Sequence, residues 1–253
     1  MVTATLFPDK TSQVWKLKDS QLEYLKTDPK PVVEWYFDNE SEVIQIIQLF
    51  DLINTIVPED REIDLYVPFL PYARQDKEIN NELTFALRTF LKVISLTYAR
   101  LVVLDVHSQD LLKELAPTFL NIEPISQITY AARHCDADLF CYPDSGAETR
   151  YGGLLVNAPH VVLEKTRDQV TGSINGIKLA DGYNPELIKG KKILIIDDIC
   201  DGGRTFIEGA KVLYSHGAAD VNLYTSHGIY SKGVKIIHDA GITKVYDKDG
   251  CWE

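Results

Sequence analysis

The sequence is short of positive charge, poor in cysteine and without a long apolar run. Lysine and arginine number 26 against 37 acidic residues, a formal net charge of −11. An acidic surface of this size repels a nucleic-acid backbone, so no nucleic-acid partner is expected. Small anionic substrates stay open, because a few local cations and helix N-termini suffice to hold phosphates. The four cysteines, Cys135, Cys141, Cys200 and Cys251, form no C-x-x-C pair. A zinc site is therefore not expected, and reduced thiols in a cytoplasmic protein are. No segment reaches the ~18 consecutive apolar residues of a membrane span. Met1 to Lys10 carries no basic segment followed by an apolar one, so neither a secretion signal nor a membrane attachment is expected.

What is present is enough apolar sequence, 45% of 253 residues, for two domains with real cores. Val43, Ile44, Ile46, Ile47, Phe50 and Ile53 recur near helical spacing behind Asn39 or Ser41, predicting a helix over 39–56. Strands are predicted over 63–69 and 101–106, helices over 82–96 and 110–115, and a loop over 70–80. The stretch 119–126, containing Pro124, reads as a boundary between domains 1–125 and 126–253. Beyond it helices at 128–135, 146–155, 205–216 and 232–239 alternate with strands at 138–142, 160–164, 192–196, 221–226 and 243–246. Between them, 165–190 is rich in glycine and lacks apolar periodicity, predicting a flexible loop that leads into a short hairpin or edge strand. Strands alternating with helices give a parallel sheet covered on both faces, here twice over. Sites in such sheets sit at the carboxyl ends of strands, so the strand-to-helix loops are where chemistry is sought.

The segment Lys192-Ile-Leu-Ile-Ile-Asp-Asp-Ile-Cys-Asp-Gly-Gly-Arg-Thr205 is the most informative. Four apolar residues carry the chain to the sheet edge, where Asp197, Asp198 and Asp201 precede Gly202, Gly203, Arg204 and Thr205 and a helix begins. The glycines allow a tight path that turns amides toward one point, and those amides with the helix dipole hold a phosphate. The carboxylates would repel that phosphate; they suit ribose hydroxyls or a bound magnesium ion. One helix cap would account for Asp201 but not for two adjacent acids after a buried strand.

This segment resembles the phosphoribosyl-binding motif of type I phosphoribosyltransferase folds, with Gly202 where threonine is usual and Arg204 where the second glycine is usual. A second segment, Val67-Pro-Phe-Leu-Pro-Tyr-Ala-Arg-Gln-Asp-Lys77, is very similar to the ATP-holding segment of ribose-phosphate diphosphokinases. There Arg74 can stack on or fork to a nucleotide and its phosphates, while Gln75 and Asp76 can hydrogen-bond adenine or ribose. Asp105-Val-His107 resembles that family's Asp-Leu-His, and a neutral imidazole at His107 can ligate the magnesium on ATP. Tyr142-Pro-Asp-Ser-Gly-Ala147 resembles its Ser-Pro-Asp-x-Gly-Gly turn, making Asp144 a magnesium or ribose contact. Lys165-Thr-Arg167 matches the Lys-x-Arg pair that opens its catalytic flexible loop, where two cations can neutralise transferring phosphoryl charge. Phe7 and Asp9, within Leu6–Val14, match a Phe-Ser-Asp-Gly-Glu strand that reaches adenine; Tyr36–Glu40 is a rival for that match.

The resemblance implies an α/β fold of two tandem type I phosphoribosyltransferase-like domains, the first binding ATP and the second ribose 5-phosphate, with ends shorter than the family norm. It implies transfer of a diphosphoryl group from ATP to ribose 5-phosphate, with Mg2+ as cofactor and a dimer or higher homo-oligomer as the assembly. Two other readings share part of the pattern. A nucleobase phosphoribosyltransferase has the sugar loop but not Arg74-Gln75-Asp76. A non-catalytic subunit of a synthetase usually loses loop cations or sugar-loop acids, and both are kept here.

Overall fold

The computed structural model describes residues 4–58, 61–77, 84–167 and 174–252. The chain divides into two units, Met1–Glu123 and Pro124–Glu253.

The first unit opens with strands β1 (Ala4–Leu6) and β2 (Ser12–Val14), an antiparallel hairpin. Asp9 shapes its turn by accepting hydrogen bonds from the Thr11 amide at 3.0 Å and hydroxyl at 2.7 Å. Helix α1 (Asp19–Thr27) and strand β3 (Val32–Glu34) follow, then α2 (Ser41–Ile56), β4 (Asp64–Val67), α3 (Ala86–Ile94), β5 (Arg100–Leu104), α4 (Gln109–Leu115) and β6 (Leu120–Ile122). The sheet is wholly parallel, in the order β3-β4-β5-β6. Ile46, Leu49, Phe50 and Ile53 of α2 form the buried stripe that the sequence spacing predicts, packed with Leu65, Val67, Leu101 and Val103 of the sheet. Gln48, on the same helix, fastens the hairpin by accepting from the Val14 amide at 2.9 Å and donating to the Ser12 carbonyl at 3.0 Å.

The second unit runs α5 (Ile125–His134), β7 (Leu139–Tyr142), α6 (Ser145–Tyr151), β8 (His160–Arg167), β9 (Ile174–Leu179), β10 (Lys192–Cys200), α7 (Arg204–Ser215), β11 (Asp220–Gly228), α8 (Lys235–His238), β12 (Ile242–Asp247) and β13 (Gly250–Trp252). Its sheet has the order β13-β12-β11-β10-β7-β8-β9, parallel in the middle with an antiparallel strand at each edge. Strand β10 is apolar on both faces, as a central parallel strand must be. Ile193 and Ile195 pack with Phe206, Ala210 and Leu213 of α7. Leu194 and Ile196 pack on the other side with Ile128 and Ala131 of α5 and Ala147 and Tyr151 of α6.

Three expectations need correction. The stretch 119–126 is not all linker, since Leu120–Ile122 pairs with β5 as an edge strand. Three residues with only the middle one half-buried leave too little apolar pattern to reveal it. The units divide after Glu123, against an expected boundary after 125. Over 165–190 the expected hairpin or edge strand is present as β9, but the loop before it is shorter than expected. Strand β8 runs on to Arg167, and β9 pairs back along it from Leu163↔Leu179 to Arg167↔Ile174. Backbone pairing at an edge needs no apolar periodicity, so the glycine content hid how early the pairing begins. Residues 168–173 of that loop lie outside the described residues.

All four cysteines are free thiols, and burial pushes Cys135 up to about 11 and Cys200 up to about 12. Among the described residues no helix is long and apolar enough to cross a membrane.

Candidate active site

Strand β10 does not stop where its apolar run stops. It stays in register with β11 through Asp197↔Thr225 and Ile199↔His227, so both acids are mounted on the sheet and not on a loop, as the sequence had suggested. The side chains of Asp197 and Asp198 lie within hydrogen-bonding reach of one another. Asp198, its side chain only 5% exposed, meets the Arg150 guanidinium of α6 at 3.0 Å. Asp197 accepts the Asp198 amide at 2.9 Å. Burial, followed by the neighbouring Asp198 charge, pushes the Asp197 carboxyl well above the usual carboxylate range.

The chain then turns through exposed Asp201 to Gly203, which stands at the N-cap of α7 with φ +73°. A side chain there would be strained, and a Cβ would also come within 3.0 Å of Ile237 Cγ1. Gly202 is covered differently. A Cβ on it would stand 3.6 Å from Cε and 4.0 Å from Nζ of Lys232, so the Lys232 side chain lies across this glycine. Arg204 is exposed at the first position of α7 and Thr205 is half-buried behind it.

The turn after β7 is shaped by Asp144, which caps α6 by accepting from the Gly146 and Ala147 amides, both at 3.1 Å. Its other oxygen faces Lys165 Nζ of β8 at 3.5 Å. Arg167 ends β8; its side chain lies outside the described residues.

In the first unit, Pro71–Arg74 forms a turn after β4, with Tyr72 at φ +63° and its hydroxyl donating to Glu40. Arg74 and Gln75 are exposed. Asp76 is held: Ser108, immediately after His107, donates its hydroxyl to the Asp76 carboxylate across 32 residues of sequence. The β5 turn that presents His107 is itself pinned, with Asp105 at φ +45° and the Val106 amide donating to Asn121 Oδ1 at 3.0 Å. Phe7, 38% exposed, and Asp9 sit in the turn of the β1–β2 hairpin. Tyr36–Glu40, the rival match, joins β3 to α2.

Sequence reading missed Arg150, Lys232 and Ser108. Arg150 had one usable signal, a cation on the helix that opens at a Pro-Asp turn. Nothing in the sequence marks Lys232. Among the described residues no three His, Cys, Asp or Glu side chains are grouped to hold a metal.

Residues 154–250 match the family described as the Phosphoribosyl transferase domain. A ribose-phosphate pyrophosphokinase of Saccharolobus solfataricus is 27% identical over 96% of this chain and 85% of its own length. The chain is a homologue of the ribose-phosphate pyrophosphokinases. Another such relative, ribose-phosphate pyrophosphokinase 4 of Oryza sativa, is 31% identical over 66% of this chain and 53% of its own length. A solved phosphoribosylpyrophosphate synthetase from Mycobacterium smegmatis superposes with a TM-score of 0.75 at 22% identity, covering 97% of this chain and 78% of that one. The tandem α/β fold expected from the sequence is thereby borne out, and the pyrophosphokinase relatives carry the enzyme class expected from 71–77 and 192–205.

Proposed function

We propose that this protein transfers the diphosphoryl group of Mg-ATP to the anomeric hydroxyl of ribose 5-phosphate, giving 5-phosphoribosyl 1-diphosphate and AMP. What supports the reading is two separately built loop segments in one chain, each carrying residues expected to meet a phosphate-bearing substrate. One is the β10–α7 loop with its paired acids. The other is the Arg74–Asp76 segment, fastened through Asp76 to the turn bearing His107. A nucleobase phosphoribosyltransferase needs the first and has no use for the second.

In this reading the amides of Gly202 to Thr205 hold the 5-phosphate, with Lys232 and Arg204 adding positive charge. Asp197 accepts from ribose hydroxyls, and Asp198 and Asp201 support the same loop. Arg74, Gln75 and Asp76 hold ATP, with Phe7 and Asp9 at its adenine. The anomeric oxygen forms its bond to the β-phosphorus as the bond from that phosphorus to the AMP oxygen breaks, and the hydroxyl proton is released. Catalysis is then mostly positioning and charge neutralisation. Lys165 and Arg167 offset the charge on the moving group. Magnesium, met by His107 and Asp144, would supply further neutralisation on the phosphates. A homo-oligomer, dimer or larger, is part of the proposal; exposed Leu6 and Trp15 on the hairpin are apolar surface of the kind an interface covers.

The test is direct. Purified protein with ATP, magnesium and ribose 5-phosphate should release AMP and 5-phosphoribosyl 1-diphosphate in equal amounts. Release of diphosphate from 5-phosphoribosyl 1-diphosphate on adding a nucleobase, with no AMP formed from ATP, would replace this reading by the transferase. Absence of both reactions, with ATP bound, would favour a non-catalytic subunit.

A further inference from the structure

We infer that Arg150 is a positioning residue for the sugar site, acting through Asp198, and that the two adjacent acids of β10 have separate duties. The inference rests on the reading above and adds to it a residue and a division of labour.

The Asp197 and Asp198 carboxyls lie within hydrogen-bonding reach of one another, and it is Asp198 that meets a cation. Helix α7, whose N-terminus closes the phosphate loop, begins four residues beyond the strand. Asp198 meets α6, side chain 5% exposed, against an Arg150 side chain that is 19% exposed. A carboxylate that deep needs a cation, and Arg150 at 3.0 Å is one. The guanidinium also lies over the Tyr151 ring at 5.6 Å from its centroid, which restricts its own swing.

The consequence reaches Asp197. The Asp198 amide donates to Asp197 Oδ1 at 2.9 Å, so whatever fixes residue 198 also fixes the carboxylate beside the sugar loop. Helix α6 is the support. Its first turn is capped by Asp144 and its last turn carries Arg150, so one short rod ties the Pro-Asp turn to the acid pair. Arg150 touches no substrate in this scheme; it sets where Asp197 points.

The experiment is a double-mutant cycle on kcat/KM for ribose 5-phosphate, using Arg150→Met, Asp198→Asn and the pair together, with circular dichroism confirming that each variant is folded. Arg150→Met should lower kcat/KM for ribose 5-phosphate on the order of tenfold to a hundredfold, mainly through KM, and leave KM for ATP within about twofold. Arg150→Lys should recover most of the loss. The double variant should be no worse than the more damaged single variant, because both act through one contact. Calorimetric affinity for ribose 5-phosphate, which needs no turnover, should follow the same order. Multiplicative losses in the double variant, or equal losses for ATP and ribose 5-phosphate, would overturn the inference. A wild-type protein that releases no AMP would instead defeat the reading on which it rests.

Discussion

The two units present their chemical groups in opposite ways. In the second, the charged groups are held before any ligand arrives: Asp198 by Arg150, Asp144 by two amides and Lys165, Asp197 by a neighbouring amide on a strand of a seven-stranded sheet. In the first, Arg74 and Gln75 project exposed from a turn over a four-stranded sheet, and Asp76 is fastened by Ser108. Pre-held groups lose little freedom on binding but carry a standing electrostatic cost. Free ones carry no such cost and are ordered when the ligand arrives. Substitutions at the buried acids of the second unit should therefore change stability and activity together, and substitutions at the more exposed Lys165 and Arg74 should change activity alone.

The contrast can be broken in four places. The largest effect should come from the first core: Phe50→Ala, at a fully buried site, should cost about 3–5 kcal/mol. Hydrogen exchange should show protection falling first over 41–56 and 64–67 and last over 192–200; equal loss in both units would merge them into one cooperative body. Next, Lys165→Ala should lower kcat by roughly 10²–10³, the scale of removing one charge-stabilising group. Its partly exposed pair with Asp144 is worth at most about 1 kcal/mol, so the melting temperature should barely move. Arg74→Ala should raise KM for ATP by about tenfold to a hundredfold, the loss of a charge-assisted contact, with an unchanged thermal melt. Last comes Asp197→Asn. The raised carboxyl keeps its proton over a pH range where the unfolded chain has lost it, so wild-type stability falls as pH climbs from the ordinary carboxylate range toward the raised value. The asparagine variant should be inactive yet more stable at pH 7, with the gap closing toward pH 4 in a denaturant series.

The sequence was most readable where one physical demand dominates. Strand β10 and the stripe of α2 are set by apolar burial, and their residues carry that pattern openly. Elements held by backbone pairing at a sheet edge were passed over or blurred: β3 and β6 have three residues each, and β9, expected as a hairpin or edge strand, has glycine inside it that hid its bounds. Site residues within contiguous motifs, such as Arg74-Gln75-Asp76 and Asp197-Asp198, could be nominated from spacing. Partners supplied by another element could not. Arg150 meets Asp198 only because α6 covers one face of β10, and Lys232 crosses Gly202 only because of where the chain leaves β11. The error over 165–167 has the same origin, since a Lys-Thr-Arg run looks identical on a loop and on a strand.

Fixing the acids to rungs of the sheet also determines where this protein can change over generations. Asp197 cannot drift along the chain without breaking its ladder with Thr225. The three residues that follow the strand, Asp201 to Gly203, carry no such constraint on length until Gly203 meets Ile237. Variation should gather in that short span and in the side chains that shelter it, Lys232 over Gly202 among them, while the rungs stay acidic.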